Sequence, residues 1–139
     1  MIVVSNTSPI INLAAVGQLE LLQRLYGTIT IPQAVYYEIA VRGSGQAGAI
    51  EIQTYPWFER HSVQDVALLK HLEQKLDAGE AEAIALAINM RANLLLLDER
   101  RGRMIARQHS LTVIGLLGVL LIATQRGYLV AIRPVLNDH

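Results

Sequence analysis

The sequence predicts an α/β domain built on a central, mainly parallel sheet, and three observations carry that prediction. Short runs of branched apolar residues alternate along the chain with longer runs of helical spacing. One short run, Leu94 to Leu97, contains no polar residue, as a parallel strand covered on both faces requires. The chain is 139 residues long, 52% hydrophobic and 17% charged, which suits one folded domain over residues 1–139 and excludes intrinsic disorder.

Ile2 to Ser5 is apolar and too short for a helix, so it reads as the first strand, ending at Asn6. Thr7-Ser8-Pro9 supplies a hydroxyl cap and a proline suited to a first helical turn. Leu13, Val16, Leu19, Leu22 and Leu25 recur at three-residue steps through a helical region that Gly17 interrupts and Gly27 stops. Thr28 to Ile31 is the second strand. Pro32 opens a helix over Gln33 to Val41, with Val35 and Ile39 on one face and Glu38 a turn from Ala34. The glycine-rich stretch Arg42 to Gly48 reads as a loop, leading to a short helix at Ala49 to Gln53. Trp57 to Arg60 reads as a short edge strand, and Val66 to Leu76 as a helix. Asp77-Ala78-Gly79-Glu80 then has the spacing of a capping box, followed by Ala81, Ile84, Ala85 and Ile88 at the period of a helix laid on a sheet. After the Leu94 to Leu97 strand come Asp98, a basic helix over Arg100 to His109, a strand at Thr112 to Ile114 and a helix over Leu116 to Arg126, closed by Gly127. The apolar run Leu111 to Thr124 falls short of the roughly 20 residues of a membrane span, so it divides into strand and helix.

Twelve basic residues balance twelve acidic ones, so no whole-molecule field holds nucleic acid or an anionic membrane; contact with nucleic acid needs a local patch. Without cysteine there is no disulfide framework, thiolate metal site or cysteine nucleophile. The amino terminus Met-Ile-Val-Val-Ser-Asn lacks the marks of a signal peptide, and a cytoplasmic location away from membranes is expected. So few charges on a small chain imply apolar surface against another chain, in a homodimer or with a permanent protein partner.

In open α/β sheets, ligands bind at the carboxyl ends of the strands. Asn6 and Asp98 stand at two such ends, while Glu38 and Glu80 lie on helices packed against the sheet. Oxygen donors converging there suit a hard divalent cation such as Mg2+ or Mn2+, able to activate water and stabilise a phosphodiester under attack. Each residue also has a plain structural role: Asp98 and Glu80 as helix caps, Glu38 on a solvated face, Asn6 in a turn. Their joint occurrence favours the site. Glu82, two residues from Glu80, falls on the other side of the helix and is assigned to solvent. Glu99 is assigned to the start of the next helix, where an acid complements the dipole.

Four segments bear a family likeness: Val4 to Ile10, Ile31-Pro32 through Ile39, Leu76 to Ile84 and Leu96 to Arg103. In that order they resemble PIN domains, and most of all their DUF3368 branch, related to VapC toxins. The likeness runs from residue 2 to about Gly127, and Gly-Glu-Ala-Glu-Ala together with Asp-Glu-Arg-Arg-Gly-Arg is its most specific part. It implies a PIN-like three-layer α/β/α sandwich, a Mg2+- or Mn2+-dependent nuclease acting on RNA and leaving a 5′-phosphate and a 3′-hydroxyl, a small antitoxin partner and a dimer. Residue by residue, it places the four catalytic and metal-holding positions at Asn6, Glu38, Glu80 and Asp98, with Thr7 or Ser8 bracing Asn6. Here the chain departs from the active pattern, because Asn6 offers a carbonyl oxygen but no charge and should hold a cation less firmly. The alternative is a catalytically weakened module that acts by binding protein or RNA.

Ten of the twelve basic residues are arginine, and Arg91, Arg100, Arg101, Arg103 and Arg107 surround the acids in sequence. The planar fork of arginine makes Arg100, Arg101 and Arg103 the candidate seat of an RNA backbone, the competing reading being a solvated helix with ion pairs to Glu99. Gly115-x-x-Gly118 reads as close helix packing, and the aromatic pairs Tyr36-Tyr37 and Trp57-Phe58 as core.

Overall fold

The computed structural model describes residues 1–129, so the predicted domain boundary at His139 lies outside the described residues. The chain forms β1 (Val3–Ser5), α1 (Thr7–Ala15), α2 (Glu20–Tyr26), β2 (Ile29–Pro32), α3 (Gln33–Tyr37), α4 (Ala49–Thr54) and β3 (Phe58–His61). It continues through α5 (Val66–Glu73), α6 (Ala78–Met90), β4 (Leu94–Leu96), α7 (Arg100–Gln108), β5 (Val113–Ile114) and α8 (Leu116–Gln125). All five strands are parallel, in the order β3-β2-β1-β4-β5, so the predicted three-layer sandwich is the architecture observed. The Phe58–His61 strand occupies an edge, as the sequence suggests.

Side-chain alternation builds the two outer layers. Val3, Leu94 and Leu96 point to one face, where Ile10, Leu13, Leu22, Val119 and Leu120 bring α1, α2 and α8 against the sheet. Val4, Leu95, Leu97 and Val113 point to the other, under Leu72, Ile84 and Ile105 of α5, α6 and α7. The buried alanines 81, 83, 85 and 87 let α6 sit close to its neighbours on several sides. Among the described residues no helix is long and apolar enough to cross a membrane.

One helical break falls where the sequence places it, and one helix changes in detail. The repeat from Leu13 to Leu25 divides at Gly17, whose φ of +70° suits glycine, into α1 and α2. The helix expected over Gln33 to Val41 is α-helical only to Tyr37 and then widens into a π-turn, Glu38–Arg42. Gly43 closes that turn: a Cβ there would stand 2.8 Å from the Ile39 carbonyl oxygen, closer than atoms pack. Glu38 therefore sits where the helix changes pitch, a feature frequent at functional positions.

The strand order places a switch point between β1 and β4. From β1 the chain moves outward through β2 and β3, then returns to lay β4 on the other side of β1, with Val3, Val4 and Ser5 opposite Leu94, Leu95 and Leu96. Loops leaving the two strands in opposite directions open a crevice at their carboxyl ends. The Asn6 N–H donates to the Leu96 carbonyl at 2.9 Å, pinning that crevice at its base.

Candidate active site

Asn6 follows β1 as the N-cap of α1, although its side chain makes no cap bond. It is 3% exposed and its amide serves the crevice instead. Nδ2 donates to Glu99 Oε2 at 3.2 Å, and Ser8 Oγ donates to the other oxygen of the same carboxylate at 2.8 Å. Asn6 Oδ1 is buried and has no hydrogen-bond partner. A buried carbonyl oxygen without a donor is costly, and such an orphan points to a missing ligand.

Oδ1 faces the first turn of α6. A Cβ built on Gly79 would lie 3.3 Å from it, 3.1 Å from Glu38 Oε2 and 3.7 Å from Asp77 Oδ1. Only glycine leaves this gap open, and three oxygens from three segments look into it. The exposed Glu38 is steered there by Thr7, whose Oγ1 donates to Glu38 Oε2 at 3.0 Å. Glu80, 8% exposed, completes the predicted capping box: its N–H donates to Asp77 Oδ1 at 2.8 Å, and its Oε1 accepts from the Asp77 N–H at 3.3 Å. Its Oε2 faces Gly102, within 3.1 Å of where a Cβ would stand. Burial first, and the nearby carboxylates of Asp77 and Glu99 besides, push the Glu80 carboxyl up to about 7, against the opposing pull of the Asp77 N–H. A buried acid raised in this way is one that a cation would relieve.

The strand-end acids exchange places relative to the sequence reading. Asp98, expected at the metal, turns toward α8: its Oδ1 accepts from the Leu116 N–H at 2.7 Å and packs against Gly115, where a Cβ would clash with it. It thus caps the N-terminus of α8, not of the helix it precedes. Its Oδ2 is buried without a partner, as is Arg103 Nε. Glu99, assigned to helix initiation, does stand at the N-cap of α7 but turns its carboxylate to Asn6 and Ser8. The structure brings Asn6, Glu38, Glu80 and Glu99 together, with Asp77 beside them, and commits one oxygen of Asp98 to α8. Two consecutive acids in an extended turn point opposite ways, and nothing in Asp-Glu as a pair says which faces inward.

Three further assignments are corrected by position. Thr7 and Ser8 brace Glu38 and Glu99, not Asn6. Glu82 does not face solvent: its Oε1 accepts from the Ala34 N–H at 3.0 Å, capping α3 from across the helix interface. Pro32 at the α3 N-cap has no side-chain oxygen to do so. Arg91 ends α6 eleven residues beyond Glu80, about 16 Å along the helix and at the far end of the sheet, so it leaves the arginine group. Arg100, Arg101, Arg103 and Arg107 remain together and line one hollow on α7 with Met104. The only ion pair among the described residues is His61 with Glu59 at 3.8 Å, so these arginines are not taken up by acids.

The donor chemistry fits a hard divalent cation: the set is all oxygen, and one buried oxygen lacks a partner. Among the described residues, however, no three His, Asp or Glu side chains stand close enough to hold an ion by themselves.

A PilT N-terminus domain protein from the hyperthermophilic archaeon Sulfolobus solfataricus has a similar solved structure. At 18% identity it superposes with a TM-score of 0.63, over 88% of this chain and 93% of that one, which is a likeness of fold. No curated protein matches the chain. The family model described as DUF3368, PIN domain, matches residues 2–138. PIN domains are commonly nucleases that use divalent metal ions. With the match extending over nearly its whole length, the chain belongs to the DUF3368 family of PIN domains.

Proposed function

We propose that this chain is a Mg2+- or Mn2+-dependent endoribonuclease hydrolysing RNA phosphodiesters, of the toxin type that pairs with a small antitoxin protein. The observation that supports it most is the buried, unpartnered Asn6 amide oxygen, which faces the Gly79 gap beside Glu38 and Asp77 while its nitrogen is held by Glu99. A bound cation would supply Lewis acidity toward the phosphoryl oxygens and lower the pKa of water. The chain's own residues do the rest. Glu38, Glu80 and Glu99 offer negative charge, Asn6 a neutral oxygen, and Thr7 and Ser8 hold the flexible acids in place. Arg100 and Arg101, next to Glu99 in the first turn of α7, seat the RNA backbone, with Arg103 and Arg107 extending the row. Asp98 holds α8 against the end of β4 and so keeps the Glu99 turn in shape.

The test is cleavage of a labelled single-stranded RNA by the purified chain across a Mg2+ and Mn2+ titration, with EDTA as control. Glu80→Gln and Glu99→Gln should each abolish metal-dependent cleavage; intact RNA at every metal concentration overturns the proposal. A second reading, a weakened module that binds RNA or protein without cutting, draws on the missing charge at Asn6 and the absence of a ready carboxylate trio among the described residues. Tight RNA binding without cleavage would select it. The homodimer is tested by light scattering, and the antitoxin by co-purification with the product of an adjacent small gene.

A further inference from the structure

We infer that Asn6 and Glu99 form a matched pair in which the carboxylate expected after β1 is carried by the turn after β4, and the acid at 99 turns the Asn6 carbonyl oxygen into the site. The inference concerns the polarity of one hydrogen bond, and only its consequence for the cation rests on the nuclease reading.

A carboxylate accepts and does not donate, so the Asn6 group 3.2 Å from Glu99 Oε2 must be the NH2. The amide is planar, and fixing its nitrogen on Glu99 fixes its oxygen on the opposite side, toward Glu38 Oε2 and the Gly79 gap. Ser8 Oγ holds the second oxygen of Glu99 at 2.8 Å, so the acid cannot swing away from the amide. Asn6 is 3% exposed, so its end of the pair is shielded from water. Glu99 is thus a positioning residue. It orients a neutral donor and supplies, one strand over, the charge that an acid at position 6 would bring. An acid at position 6 beside Glu99 would instead set two carboxylates against each other with no donor between them.

The charge-swap cycle tests this. In Glu99→Gln, the carbonyl of the introduced amide still accepts from Ser8, so its NH2 faces residue 6. Asn6 must then flip to offer its oxygen, which turns its own NH2 into the gap. In Asn6→Asp/Glu99→Gln the bond reforms with reversed polarity, and a carboxylate oxygen at position 6 again faces the gap. Without metal at pH 7.5, Asn6→Asp alone should lower Tm by about 5 °C or more, and the same change in the Glu99→Gln background by less than about 2 °C. Mn2+ affinity should fall at least about tenfold in Glu99→Gln and return to within about threefold of wild type in the double variant. In NMR spectra, the Asn6 side-chain amide protons should show contacts to Ser8 and residue 99 in the wild type, and to Gly79 in Glu99→Gln.

An equal Tm loss from Asn6→Asp in both backgrounds, or an amide that keeps its orientation in Glu99→Gln, overturns the pairing. If the melting cycle and the flip hold while no variant binds Mn2+, the pair stands and the nuclease reading fails.

Discussion

Replacing Glu80 by glutamine should stabilise the metal-free protein above neutral pH and leave it nearly unchanged in acid. The buried carboxyl is pushed up to about 7 from an ordinary 4.5, so the folded chain holds the proton through a range where the unfolded chain has released it. Stability from this group is therefore complete below about pH 4.5 and is lost as the pH rises through about 7. The full difference corresponds to about 3 kcal/mol at 1.36 kcal/mol per unit, and screening at the open side of the crevice brings it to about 1–3 kcal/mol. Glutamine keeps the carbonyl that accepts from the Asp77 N–H, so the capping box survives and only the charge is removed. For a domain of this size the gain at pH 8 amounts to roughly 4–10 °C in Tm. The assay is thermal melting of both proteins in EDTA from pH 5 to 8, repeated with Mn2+. The wild type should lose stability across that range in EDTA while Glu80→Gln does not, and Mn2+ should raise the wild type more. Parallel pH profiles for the two proteins would show that Glu80 is not strained by its neighbours, and the argument for a cation relieving it would fail.

Other expectations follow from single contacts. Gly79→Ala places a methyl against Glu38 Oε2 and Asn6 Oδ1 while improving helix propensity by up to about 1 kcal/mol; it should abolish Mn2+ binding in calorimetry without lowering Tm. Glu82→Ala leaves the Ala34 N–H uncapped and should cost about 1 kcal/mol in urea unfolding, with Glu82→Gln recovering most of it. Asp98→Ala should cost about 1–2 kcal/mol through loss of the α8 cap, a stability defect visible with or without metal, unlike Glu99→Gln. Arg100→Ala and Arg101→Ala should each weaken RNA binding whatever the sequence and lower the salt dependence of log K by about one.

Much of the frame was legible because local chemistry and tertiary role agree there. A four-leucine run has no buried alternative but a covered strand, and the Asp77–Glu80 box marks the start of α6 whatever packs above it. The site was legible only as far as sequence position determines direction. Asn6, Glu38 and Glu80 sit on segments whose placement follows from strand order. The choice between Asp98 and Glu99 depends on how the turn between β4 and α7 is twisted, which a dipeptide does not encode. Helical spacing puts Glu82 on the side of α6 away from Glu80, and nothing in that spacing marks that α3 lies over it. Arg91 is near the acids in sequence and far in space because a thirteen-residue helix intervenes. One signal lay unused: Ser8, in the first turn of α1, is a natural donor for an acid from the neighbouring strand end.

The wide turn that carries Glu38 also limits how this chain can vary. Because its carbonyls crowd residue 43, the acid's placement depends on a hydrogen atom where most residues carry carbon, five positions away and outside the crevice. Any side chain at Gly43 would force the turn to tighten or unwind, rotating Glu38 away from its threonine anchor without touching an oxygen of the site. The crevice is therefore open to damage from a residue that lies outside it, and a chain lengthened or shortened by one residue between Tyr37 and Gly43 would suffer the same fate.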